Sequence, residues 1–201
     1  MNILIDELPY SVDIHGTPHE IRPEFRIIVL AEQAINNAEL TEVERIACAL
    51  DLFFVTPPSD ILAAMGAFTD FFACYKQPKK TGKGKPKALP AVLSSEHDAP
   101  LIFSAFMRTY GINLNSVENL HWFEYQAMLD DLDEGCRLSK IMEYRGANLS
   151  DIKSPEMKKF YTKMKKQYAI PLDKRTQEQM DSLRDVLING GDLQQVLEEG
   201  R

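Results

Sequence analysis

What the chain lacks narrows its reading first. No window approaches the roughly 18 uninterrupted apolar residues that a membrane span requires. The opening MNILIDELPY has neither the basic start nor the apolar run of a secretory signal, so a cytoplasmic protein is expected. Cysteine is scarce: Cys48, Cys74 and Cys136 are odd in number and far apart, which fits neither a disulfide framework nor paired metal ligands and leaves them as buried thiols. Acidic residues are absent from one stretch. Residues 1–75 carry 12 acidic and 3 basic side chains (−9), residues 76–95 none and 6 (+6), and residues 96–201 carry 18 and 14 (−4). A strongly acidic first half is a poor partner for a phosphate backbone, so nucleic acid is an unlikely ligand, and any polyanion contact would fall to the middle.

What is present is an ordinary globular composition, 44% hydrophobic and 26% charged, with apolar side chains enough for one or two cores. The middle, KQPKKTGKGKPKALPAVLSSE, reads as a basic linker: its prolines forbid continuous helix and its like charges extend the chain. Its GKGK is not a phosphate loop, because Lys85 is followed by Pro86 where a Walker motif requires Ser or Thr.

Ahead of the linker, short apolar pieces around Gly16-Thr17-Pro18 predict a β-hairpin. Three helices then follow. The first begins near Pro23, with Phe25, Ile28, Val29 and Ile35 in helical spacing. The second opens on Thr41 and Glu44, spaced as a capping box, with Val43, Ile46, Ala47, Leu50 and Phe54 on one stripe. The third turns Ile61, Met65, Phe68 and Phe72 inward. The fold class expected is mainly α with a small N-terminal β-hairpin. It comprises two small helical modules, 1–75 and 96–201, joined by the Lys/Pro/Gly-rich linker 76–95.

The second module starts with an αα-hairpin. Leu101, Ile102, Ala105, Phe106 and Tyr110 share a face, and Gly111 stands where a left-handed cap ends a helix. Asn115 and Glu118 are spaced to cap the next, which carries Val117, Leu120, His121, Tyr125, Met128, Leu129 and Leu132. Two further helices lie beyond Gly135. In the second of them Met157, Phe160, Tyr161, Met164 and Tyr168 form an apolar and aromatic face, with Lys159, Lys163 and Lys166 opposite as a face for an acidic partner. After Pro171, Thr176 and Gln179 are spaced as another cap, and Leu183, Val186, Leu187, Leu193 and Leu197 recur helically.

Chemistry is harder to find. His121 beside Trp122 is the best isolated candidate, yet no nucleophile, orienting acid or ligand set stands at legible spacing. His15 and His19 flank a turn, and the Glu96-His97-Asp98 run is a helix start as readily as a ligand cluster. No catalytic residue, metal ligand or cofactor is expected. The second module carries more large apolar side chains, Phe103, Met107, Phe123, Tyr144, Phe160, Tyr161 and Met164, than a narrow core stripe requires, and Met and aromatic residues adapt to irregular partners.

The blocks LPYSVDIHGTPHEIRPEFRIIV, ALDLFFVTPPSD, PLIFSAFMRTYGINL, LHWFEYQAMLDDL, LSKIMEYRG and FYTKMKKQYAIP occur in the order and spacing of the phage family called Gp-fifteen, which the chain resembles over about residues 8–171. That family is encoded in siphophage and prophage tail gene clusters, ahead of the tape-measure gene. The resemblance implies a non-enzymatic tail assembly chaperone or adaptor for the tape-measure protein, acting in the host bacterial cytoplasm during assembly, with other tail proteins as further partners. It also implies a basic residue where this chain has Glu124. A minor structural component of the tail and a nucleic-acid-binding regulator are the alternatives.

Overall fold

The computed structural model describes residues 2–76 and 92–171. Among these described residues two strands, β1 (Ser11–Ile14) and β2 (Thr17–Glu20), precede seven helices: α1 (Phe25–Asn36), α2 (Glu42–Phe53), α3 (Ile61–Phe72), α4 (Ala99–Tyr110), α5 (Trp122–Asp130), α6 (Arg137–Gly146) and α7 (Pro155–Gln167). The protein is therefore mainly α with an N-terminal antiparallel hairpin. Most of the expected linker, and the whole tail from Leu172 with its Thr176–Gln179 cap, lie outside the described residues.

The hairpin closes through a two-residue loop. His15 and Gly16 both have positive φ, 55° and 80°, and Ile14 pairs with Thr17. That is the twist-matched turn a tight hairpin prefers, and only the glycine adopts it without steric cost. Val12 and Ile14 face inward. Arg22 then fastens the chain to the end of α2, its Nη1 donating to the carbonyls of Asp51 at 2.7 Å and Leu52 at 3.0 Å. These carbonyls belong to the last turn of a helix, whose partial negative charge a guanidinium complements.

Local signals place most helix ends. Thr41 and Glu44 form the expected reciprocal cap, and Gly111 ends α4 in the left-handed region at φ 69°. The inward faces of α2 and α3 are rotated from the expected stripes. Ala49, Leu50 and Phe53 are buried on α2 while Val43 is 77% exposed. Ala64, Phe68 and Phe71 are buried on α3 while Ile61 is exposed. The reason is the partner: Phe53 meets Phe54, Phe68 and Phe71 at ring distances of 4.7–5.2 Å, and the densest aromatic contact sets the rotation.

The largest difference lies at α5. The expected cap at Asn115 and Glu118 is not used, because Asn113 takes the Asn115 N–H in a local turn. The helix starts at Trp122 instead. His121 Nδ1 accepts from Phe123 N–H at 3.1 Å, and the Glu124 carboxylate accepts from His121 N–H at 3.0 Å. Glu124, where the resemblance implies a basic residue, is thus half of a reciprocal N-terminal cap.

The core is continuous across the two segments of chain rather than divided into one core per module. Phe25 stacks on Tyr125 at 4.8 Å, and Tyr125 stacks on Phe106 at 5.2 Å. Phe71 lies 4.8 Å from Phe123. Polar contacts cross the same boundary: Trp122 Nε1 donates to Phe72 O at 3.0 Å, Trp122 N to Pro23 O at 2.7 Å, and Phe25 N to Leu120 O at 3.0 Å. Arg26 adds bonds to the Leu114 and Val117 carbonyls at 2.6 and 2.8 Å. Residues 92–130 complete the surface that the first three helices leave open.

Candidate functional site

The side chains singled out from sequence do not form one surface. Phe123 is only 3% exposed and is spent on the core, packed against Phe71 and, at 5.8 Å, Tyr75. Phe103 is half-buried on α4, and Met107, one turn on, is 42% exposed. The remaining four residues belong to α6 and α7. Tyr144 meets Phe160 and Tyr161 edge-on, both at 5.9 Å, and stacks on Tyr168 at 6.0 Å. Met164 is half-buried on the same helix.

The α6–α7 pair carries no deep core of its own. No residue of α7 is fully buried, and Met157 and Phe160 are 48% and 44% exposed. The helix is held at a few polar points. Ser154 caps its start by accepting from Met157 N–H, Tyr161 OH donates to the Glu143 carboxylate at 2.5 Å, and Lys165 Nζ donates to Ala147 O at 2.5 Å. The Glu143 hydrogen bond raises the Tyr161 pKa, so the phenol stays protonated. An open groove of about 720 Å³ runs beside the helix start, lined by Gly146, Ala147, Ile152, Met157 and Tyr161 among others. Lys159, Lys163 and Lys166 are all exposed and make one basic side of the helix, beside an apolar strip that ends at Phe160.

A buried ion pair sets where this unit sits, and nothing in the sequence pattern announces it. Asp98 and Arg145 are 1% and 5% exposed. They meet through two parallel bonds, Nη1 to Oδ2 at 2.5 Å and Nη2 to Oδ1 at 2.9 Å. Arg145 also donates through Nε to Tyr168 O at 2.6 Å and through Nη1 to Val92 O at 3.1 Å. One guanidinium therefore joins the start of α4, the end of α6, the end of α7 and the chain that leaves the linker. Burial on its own would raise the Asp98 pKa, but the Arg145 bonds, the Ser94 N–H and the opposite charge outweigh it and leave the carboxyl below its ordinary range. Within the Glu96-His97-Asp98 run only Asp98 serves as this anchor, while Glu96 and His97 are exposed. The i-to-i+47 spacing that joins its last member to Arg145 is beyond any local signal.

The other titratable candidates have structural partners. His121 caps α5 and reaches Pro9 O through Nε2 at 3.1 Å. His15 pairs with Asp60 at 3.0 Å on the surface, and His19 lies edge-on to Phe54. The thiols differ from expectation: Cys136 is buried and caps α6 through Ser139 N–H, whereas Cys74 is half-buried and Cys48 is exposed. Burial pushes the Cys74 thiol up to about 11. Among the described residues no group of His, Cys, Asp and Glu is placed to hold a metal ion, and no helix is long and apolar enough to cross a membrane.

The accessible features among the described residues include an aromatic helix face, an open groove and a lysine row. The protein's family is a phage one. The chain belongs to the Bacteriophage Gp15 protein family, whose model matches residues 4–170. No curated protein and no solved structure matches it. Membership points to a structural or morphogenetic role in a bacteriophage.

Proposed function

We propose that the protein is a non-enzymatic phage tail assembly chaperone or adaptor that holds the tape-measure protein soluble in the host cytoplasm until tail subunits surround it. The observation that carries the reading is the half-exposed Met157–Phe160 strip on α7, backed by Tyr144 and Tyr161, in a chain of a phage family. A long helical client with apolar stripes aggregates unless those stripes are covered, and an adaptable Met and aromatic surface on a partner suits that task. The lysine row beside the strip adds a rim that favours acidic flanks on the client.

Coexpression with tape-measure fragments tests this. The full chain is expected to raise the soluble client fraction, and the effect should survive moderate salt, because apolar burial is not screened as charge is. Phe160→Ser together with Met107→Ser should reduce the rescue while lowering the melting temperature only modestly, since the two side chains are 44% and 42% exposed. Client solubility that is indifferent to the full chain, or a rescue lost on adding salt, would sink the apolar mechanism. Mass spectrometry of purified virions separates the roles further. A chaperone is absent from them, and a retained tail component is present in fixed stoichiometry.

A further inference from the structure

Charge is unevenly shared along the described chain. Residues 2–76 carry 12 acidic and 4 basic side chains (−8), and residues 92–136 carry 8 and 1 (−7). Residues 137–171, which hold α6 and α7, carry 3 and 9 (+6). Arg145 is spent on Asp98 in the interior, but Lys159, Lys163 and Lys166 are exposed. One basic unit on an acidic body attracts other copies of the same chain. We propose that the apolar and basic face of α7 docks on the outward face of α2 in a second copy, so that copies associate head to tail.

The two faces match in pattern, size and length. On α7, Met157, Phe160 and Met164 recur at three and four as an apolar lane, and Lys159, Lys163 and Lys166 recur at four and three as a basic lane beside it. On α2, exposed Val43 and Ala47 lie four apart as an apolar lane, and exposed Glu44 and Asp51 lie seven apart as an acidic lane beside it. The large side chains belong to one face and the small ones to the other, so Phe160 and Met157, 44% and 48% exposed, find room above Ala47. The helices have 12 and 13 residues, each about 18 to 20 Å long, which lets both lanes run together over their whole length. Val43, 77% exposed, then loses contact with water that the fold of a single chain leaves to it.

The same features decide between occupants. Both faces are open to solvent within one molecule, so they meet only between molecules. Pairing α7 with a second α7 sets lysine rows against each other, and pairing α2 with α2 does the same with carboxylates. The acidic stretch 92–136 offers α7 little to bury on, because among its described large apolar side chains only Met107 is exposed. A contact between unlike faces leaves each copy with one of each still free. It therefore propagates, closing into a ring or continuing as a filament. A single pair of short helices is a small interface, so the association is weak and depends on concentration. The inference uses the α7 strip but not the tape-measure reading, and it is measured on this chain alone; a client that takes the strip competes with the neighbouring copy.

Sedimentation equilibrium of the full chain tests it. The average mass is expected to rise with protein concentration past that of a dimer, and to fall back as salt screens the lysine–carboxylate pairs. The variants V43K/D51K and K159E/K163E alter only exposed side chains, and each alone should associate at least about tenfold more weakly. An equimolar mixture of the two should associate again, because the native α7 of the first meets the native α2 of the second. Neither a loss of fold nor a symmetric contact gives recovery on mixing. Native Cys48, exposed on α2 and one turn from Glu44, supplies a second reading. Lys163→Cys under mild oxidation should give a disulfide-linked ladder that Cys48→Ser removes. A chain that stays monomeric at every concentration overturns the inference. So does association that either variant leaves intact, a mixture that stays monomeric, or a ladder indifferent to Cys48→Ser.

Discussion

His121 carries the most consequential single proton. Its Nδ1 accepts from Phe123 N–H, so in the neutral ring the proton sits on Nε2 and is donated to Pro9 O. A second proton has no place to go without breaking the cap of α5. Burial lowers its pKa, against which the Pro9 carbonyl and the nearby Glu124 carboxylate pull upward; Tyr10, Phe71 and Phe123 complete its surroundings. In the unfolded chain the ring titrates near ~6.5. Between the two pKa values the unfolded chain holds more protons, so the contribution is full above about pH 6.5 and is lost as pH falls through the folded value. Melting temperature should decline in mild acid, and His121→Asn, which retains a capping oxygen, should flatten that decline. An unchanged slope would assign it elsewhere. Asp98 acts in a lower window. Its depressed pKa gives stability that is present above its unfolded value, about 3.9, and fades below it. Asp98→Ala, which strands Arg145 in the interior, is expected to cost about 3 to 5 kcal/mol, and replacing both by apolar residues of similar volume should recover much of that. Trp122→Ala should cost a similar amount, about 3 to 5 kcal/mol, by leaving a cavity and an unpaired Phe72 carbonyl. Denaturant titration measures each.

At the level of single elements, the ends of the helices are set by short-range chemistry and their faces by what lies opposite. Gly111→Ala meets no atom within 4 Å, so its cost is backbone strain alone, about 1 to 2 kcal/mol for a side chain held at φ 69°. Thr41→Ala removes half of a reciprocal cap and should cost about 1 kcal/mol. Both ends are legible from spacing. The start of α5 is not, because two capping patterns lie six residues apart and the choice between them is made by Pro9 and Pro23, which engage His121 and Trp122 from the other end of the chain. The rotation of α2 follows the same logic: Val43 and Ala49 are both apolar, and only contact with α1 and α3 decides that Ala49 is the one buried.

For the molecule as a whole, the shared core has a mechanical consequence. A protease site introduced between Thr81 and Lys85 would divide the covalent chain, yet the Phe25–Tyr125–Phe106 stack and the Phe71–Phe123 contact span the division. The two pieces are expected to elute together on size exclusion under native conditions and to melt in one transition, separating only in denaturant. Two independent melting transitions, or fragments that part at once, would show that each segment holds its own core.

Composition, periodicity and capping residues were enough to determine the helical class, the hairpin at Gly16, the cap at Thr41, the stop at Gly111 and the aromatic face of α7, and the six blocks were enough to reach the family. These are matters of a few residues acting on their neighbours. Tertiary structure alone decided that Phe123 is core while Phe160 is surface, that His121 rather than Asn115 begins α5, and that Asp98 meets Arg145. Each depends on which apolar faces meet across a separation of tens of residues. Such a pairing is selected by the total area and polar satisfaction of the packed whole, which no local window contains.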